Sequence, residues 1–248
     1  MHKIATPVPA LAILSILCLD VTAAEGPVAP AEQVTKQGAA VNEITLRNDF
    51  QLAEIKANAG DPEAQILLSQ LYSEGKGVGK SERKANYWLD KAARQGNRQA
   101  QVKLADRMYY KVGIPRPYYA HALKWYTLAA EQGDPYAMAM TGKMYYKGIG
   151  TKRDYKVAFT WLFEAAKLGD PESQHLVGVM YRFGHGMEKN YLNAYIWLHV
   201  AFESSKDVEE RKSILKQRER VGKLMEESEL LGAKLIAPEY ADLYARRY

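Results

Sequence analysis

Along much of this chain apolar residues return at i, i+3, i+4, i+7 and i+8, the spacing that puts them on one face of a helix. Ala85, Trp88, Leu89, Ala92 and Ala93 set the pattern. It returns as Ala122, Trp125, Tyr126, Ala129 and Ala130, then as Ala158, Trp161, Leu162, Ala165 and Ala166, and finally as Ala194, Trp197, Leu198, Ala201 and Phe202. These four tryptophans are the only ones in 248 residues, and they stand 37, 36 and 36 positions apart. A fixed period of that length marks a stacked repeat array, in which each unit buries its apolar side on its neighbours.

Between the stripes the chain carries its own punctuation. Gly60-Asp61-Pro62, Gly133-Asp134-Pro135 and Gly169-Asp170-Pro171 are identical, and Gly96-Asn97-Arg98 is their relative. Glycine takes the left-handed conformation that ends a helix, Asp or Asn caps the free amides of the next, and proline suits the first helical position. A first helix follows each tripeptide. It carries Ala64, Ala100, Ala137 or Ser173, then Leu68-Ser69, Leu104-Ala105, Thr141-Gly142 or Val177-Gly178, then Tyr72, Met108, Tyr145 or Tyr181. The small residues let a neighbouring helix come close. A glycine turn (Gly75 and Gly77, Gly148 and Gly150, Gly184 and Gly186) leads into the Ala-Trp helix.

This arrangement resembles the Sel-1-like repeat (SLR) family, a slightly longer relative of the tetratricopeptide repeat. The likeness rests on the Leu-Gly-x-x-Tyr-like first helices, the Gly-x-Gly turn, and second helices ending in Lys91-Ala92-Ala93-Arg94-Gln95-Gly96 or Ala129-Ala130-Glu131-Gln132-Gly133. It implies an all-α solenoid of antiparallel helix pairs wound into a right-handed superhelix with a concave face. The expected units are residues 60–95, 96–132, 133–168 and 169–205, with an N-terminal capping helix at 42–59 and C-terminal capping helices at 206–248. The latter read as helices from Val208 to Met225 and Glu227 to Leu235, with Pro238 breaking the pattern. Two units depart from the rest. The second has Lys111 in place of the first turn glycine and a turn, Lys111 to Pro117, that is one residue longer and contains two prolines. The fourth ends in Ser204-Ser205, which predicts a looser last turn.

The beginning of the chain has a different character. Lys3, the apolar run Leu11 to Leu19 and the small residues Val21-Thr22-Ala23-Ala24 have the layout of a secretory signal peptide (1–23), cleaved after Ala23 or Ala24. The run is too short to span a bilayer comfortably. Residues 24–41, with Gly26, Pro27, Pro30 and Gly38, read as a flexible linker. Cys18 is the only cysteine, so the exported product would hold no disulfide. The expectation is a periplasmic or secreted protein with no stable membrane insertion after signal cleavage. Its formal charge of +5 comes from interleaved Lys, Arg, Asp and Glu and does not point to nucleic acid.

No catalytic constellation stands out. The five histidines have neither metal-ligand spacing nor a carboxylate cluster beside them. Gly79-Lys80-Ser81 lacks the preceding glycine of a phosphate loop and follows a helix. Asp61, Asp134 and Asp170 are accounted for as caps. The reading is a non-enzyme with no cofactor and no metal. By likeness to tetratricopeptide arrays, first-helix positions three, six, ten and thirteen after the glycine face the groove. Of the residues at these offsets, Gln99, Asp106, Tyr109, Tyr136, Lys143, Tyr146, His175 and Arg182 are the candidate protein-binding set, because tyrosine and arginine give large contact area with a polar handle. The expected partner is an unidentified envelope protein or peptide, with peptidoglycan fragments as the alternative.

Overall fold

A computed structural model describes residues 31–112 and 118–245. The expected signal peptide, the start of the linker, residues 113–117 of the long turn, and Tyr248 lie outside them. Among the described residues, those up to Asn42 and those from Glu43 onward fall in separate units.

The described residues contain eleven helices and no strand: α1 (Ala31–Asn58), α2 (Pro62–Glu74), α3 (Glu82–Arg94), α4 (Arg98–Tyr109), α5 (Tyr119–Glu131), α6 (Pro135–Lys147), α7 (Tyr155–Lys167), α8 (Pro171–Phe183), α9 (Tyr191–Ser204), α10 (Val208–Gly222) and α11 (Glu227–Tyr244). Helices α2–α3, α4–α5, α6–α7 and α8–α9 pack as pairs, and α3–α4, α5–α6 and α7–α8 join one pair to the next. The fold is the all-α solenoid the periodicity predicts. The expected linker is not wholly irregular, since residues 31–41 already belong to α1. Ala, Glu, Gln and Lys there are strong helix formers, and a lone Gly38 costs only about 1 kcal/mol.

The tripeptides act as their chemistry requires. The side chains of Asp61, Asn97, Asp134 and Asp170 accept from backbone amides of the following first turns, at 2.9, 2.9, 2.9 and 2.8 Å respectively. Ser81, Asp154 and Asn190 cap α3, α7 and α9 in the same way. Helix α5 begins at Tyr118 with no side-chain cap. The same unit places Lys111 at φ +62°, where the neighbouring units use Gly148 and Gly184. The left-handed conformation is held although the residue is not glycine.

A second contact sets the distance between units. A Cβ on Gly150 would lie 2.6 Å from the Tyr119 carbonyl, and one on Gly186 would run into the Tyr155 carbonyl. Each of these turns thus rests on the first turn of the preceding unit's second helix, at a range only glycine permits. Buried glutamines add a polar seam. Gln65, Gln101 and Gln174 donate to the Ala57, Ala93 and Ala166 carbonyls at 3.1, 3.3 and 3.1 Å. Gln95 donates to Gln65 Oε1 and Gln132 to Gln101 Oε1. Met138 and Leu168 occupy the corresponding places in the third unit and interrupt the seam.

The core follows the alanine stripes, with Leu89, Tyr126, Leu162 and Leu198 wholly buried beside them. The tryptophans do not all share it. Trp88 and Trp197 are buried, whereas Trp125 and Trp161 are half-buried at the edge of the cluster they pack against. At the far end, α10 and α11 both pack on α9. That explains why Tyr195, Ile196, Trp197, Leu198 and Val200 are buried all round the helix. Pro238 does not break the pattern: α11 continues through it to Tyr244. An interior proline costs about 3 kcal/mol, and here Ala233, Ala237 and Ala241 bury a continuous face against it, with Tyr244 stacked on Trp197 at 5.4 Å. The fourth unit's last turn is closed by side chains, because Ser205 Oγ donates to Glu210 and Arg211 reaches the Ser205 carbonyl.

Two stability measurements check this packing. Trp197→Ala is expected to cost about 3–5 kcal/mol in denaturant unfolding, as a buried aromatic truncation, and Trp161→Ala about half of that. Equal losses would contradict the difference in burial. Lys111→Gly is expected to stabilise by about 1 kcal/mol, because it relieves a left-handed backbone at a side chain-bearing residue, and a lowered midpoint would contradict that strain.

Candidate functional site

The first helices α2, α4, α6 and α8 present one face, and the structure divides the candidate residues on it into separate groups. Asp106, Tyr109, Tyr136 and Lys143 come together on α4 and α6. The Tyr126 and Tyr136 hydroxyls both donate to Asp106 Oδ1, at 2.5 and 3.0 Å. The Tyr110 hydroxyl is within hydrogen-bonding reach of Tyr136. Tyr109 packs edge-on against Tyr110, Tyr119 and Tyr126 with centroids 4.8, 5.3 and 6.4 Å away, and Tyr126 against Tyr136 at 6.1 Å. Lys143 bridges to Glu172 on α8 at 2.8 Å.

Tyr146 belongs elsewhere. Its hydroxyl lies 3.4 Å from His185 Nδ1, and His185 stacks on Tyr155 at 4.4 Å with the rings 4° apart. Phe183 also stacks on His185, at 5.6 Å, with Arg182 over its ring at 4.8 Å. His175 contacts Gln217 of α10 at 3.0 Å, so the face continues onto the first capping helix. Gln99 is exposed near the start of α4, apart from both aromatic groups. Two of the offsets read as groove-facing are not: Ile66 and Ala139 are buried between helices.

Sequence reasoning missed Tyr110, Tyr119, Tyr126 and His185 as members of these groups. Tyr126 could have been found. It stands where the other units have Leu89, Leu162 and Leu198, and a buried phenol needs an acceptor. That acceptor is Asp106.

Burial, and then the hydrogen bond to Asp106, push the Tyr126 phenol far above its ordinary range. Burial and the negative charge of Asp106 raise Tyr136, and burial raises Tyr109 and Tyr146. These hydroxyls therefore remain donors at any physiological pH. Among the described residues no three His, Cys, Asp or Glu side chains are placed to hold a metal ion, and no helix is long and apolar enough to cross a membrane.

The Sel1 repeat family matches the chain four times, at residues 62–97, 98–134, 135–170 and 171–205. The protein belongs to that family. Among solved structures it is similar to c5321, a protective antigen of uropathogenic Escherichia coli strains displaying an SLR fold. That match has a TM-score of 0.62 and 27% identity, over 79% of this chain and 41% of that one. It is also similar to a Sel1 repeat protein from Oxalobacter formigenes, with TM-score 0.55 and 32% identity over 66% of this chain and 70% of that one. This chain thus spans less than half the length of the first. Comparison with curated proteins gives no match. The protein is a Sel1-repeat helical scaffold of the type typical of protein–protein interaction.

The phenol cluster makes stability depend on alkali in a predictable sense. A tyrosine whose pKa is raised on folding contributes fully below the unfolded value near pH 10, and the contribution is lost as pH rises from there. Wild-type stability should fall above about pH 10, with Tyr126 accounting for up to about 1.4 kcal/mol per pH unit. Tyr126→Phe should flatten that limb in urea titrations at pH 9–11. An unchanged slope would mean the phenol is not held by Asp106.

Proposed function

We propose that the protein is an exported interaction scaffold that holds an extended segment of an envelope protein against its first-helix face, centred on α4 and α6. The observation carrying this reading is the tyrosine group around Asp106. It combines anchored rings with exposed ones, since Tyr110 and Tyr136 remain 58% and 43% exposed. Interfaces favour such side chains, because a ring fixed by its neighbours loses little entropy when covered. The remaining first-helix polar groups supply a rim: Lys143 with Glu172, and Arg182 over Phe183. Export is supported by the charge, apolar run and small residues of the first 24 positions.

The test is capture of partners from an envelope extract by the immobilised protein, with identification by mass spectrometry. One envelope protein should be retained by the wild type. The exposed-ring double variant Tyr110→Ala/Tyr136→Ala should lose it by about tenfold or more, equivalent to about 1.4 kcal/mol, with its thermal midpoint little changed. Equal capture by the double variant would remove this face from consideration. Retention on purified peptidoglycan with no protein captured would replace the partner class with a cell-wall ligand.

A further inference from the structure

Asp106 is surrounded by partners that satisfy only half of it. Both phenol donors, from Tyr126 and Tyr136, go to Oδ1. Oδ2 accepts no hydrogen bond among the described residues, and Asp106 makes no ion pair with them. The nearby cations make no ion pair with it. Arg107 is held by Glu82, Asn86 and Ser73, and Lys143 by Glu172. Lys103 lines the same cleft and makes no ion pair with Asp106. The carboxylate opens onto a cleft of about 300 Å³ between α2 and α4, whose wall includes Ser69, Gln70, Ser73 and Tyr110.

We infer that this cleft is a subsite for the ammonium of a lysine presented by the bound partner segment, with Asp106 Oδ2 as its counter-charge and Tyr110, Ser69, Gln70 and Ser73 in its walls. The inference rests on the first-helix face being the binding surface. Charge complementarity selects a cation: a half-buried carboxylate without a counter-ion attracts one, and aromatic rings reinforce that attraction. The disposition of the two oxygens selects lysine over arginine. A guanidinium fork wants both oxygens of a carboxylate, whereas a compact ammonium needs one acceptor and can turn its other protons to hydroxyls and amide oxygens. Oδ1 is already filled, and Ser69, Gln70 and Ser73 supply such acceptors along the cleft. The two phenols also fix the carboxylate in place, so little ordering remains to be done when the cation arrives.

The probe is the peptide Ac-Gly-Ser-Lys-Ser-Gly-amide, titrated into the full chain and followed by NMR shifts of the tyrosine rings and α4 amides. Its counterpart with an acetylated lysine is run beside it. The unmodified peptide should shift the signals of Asp106, Tyr110 and Tyr136, and acetylation should weaken binding by about tenfold. Asp106→Asn, checked for folding by its thermal midpoint, should weaken the unmodified peptide by a similar factor. Equal binding of the acetylated peptide to the wild type overturns the inference without relying on any variant. So does undiminished binding to folded Asp106→Asn. If that variant captures the envelope partner normally while Tyr110→Ala/Tyr136→Ala does not, the face stands as a binding surface and the lysine subsite falls.

Discussion

A pair of helices twelve to fourteen residues long can cover only one side of each apolar stripe, so every unit in this protein depends on the next being pressed against it. The distance is fixed where chain meets chain without side chains between them. Gly150 and Gly186 rest on the carbonyls of Tyr119 and Tyr155 of the preceding unit, while within a pair Gly142 and Gly178 admit the side chains of Leu162 and Leu198. Any Cβ at these points would hold neighbouring helices apart and open the alanine seam along its length, which a close-packed interior tolerates poorly. The glutamines complete the same join. Each buried amide adds a second donor to a carbonyl at the end of the preceding helix, which already accepts from the N–H of the turn glycine.

The ends of the array obey the same constraint differently. Helix α9 is apolar on all sides, which would expose a large patch if the stack simply stopped there. Helices α10 and α11 cover it from two directions. The requirement is strong enough to carry α11 straight through Pro238, because the alanine face on either side of the proline is already committed to α9.

Much of this could be read before any coordinates, because the decisive chemistry is local. Gly-Asp-Pro ends one helix and begins the next by itself, and a stripe of alanines at helical spacing has nowhere to go but a helix interface. What could not be read depends on contacts between elements. Nothing in the periodicity distinguishes Trp125 and Trp161, half-buried at the edge, from Trp88 and Trp197, which neighbouring rings and capping helices enclose. Groove positions suffered the same way: the sixth offset after the glycine buries Ile66 and Ala139 but leaves His175 half-buried. His185, which stands between two turn glycines, is stacked on Tyr155 of the previous unit, a contact that sequence separation conceals.

The second unit gathers the departures. It lacks a turn glycine, leaves Lys111 in a left-handed conformation, starts α5 without a side-chain cap, and puts a tyrosine where its neighbours have leucine. The first three work against the stability of the stack, by strain or by a missing cap, and the fourth buries a hydroxyl that Asp106 must satisfy. They are not scattered: Lys111 adjoins Tyr109 and Tyr110, Tyr118 adjoins Tyr119, and Tyr126 donates to Asp106. These departures from local rules converge on one cluster of exposed rings and one half-satisfied carboxylate, the face proposed above for a partner, whereas the third unit keeps Gly148, Asp154 and Leu162 at the same places.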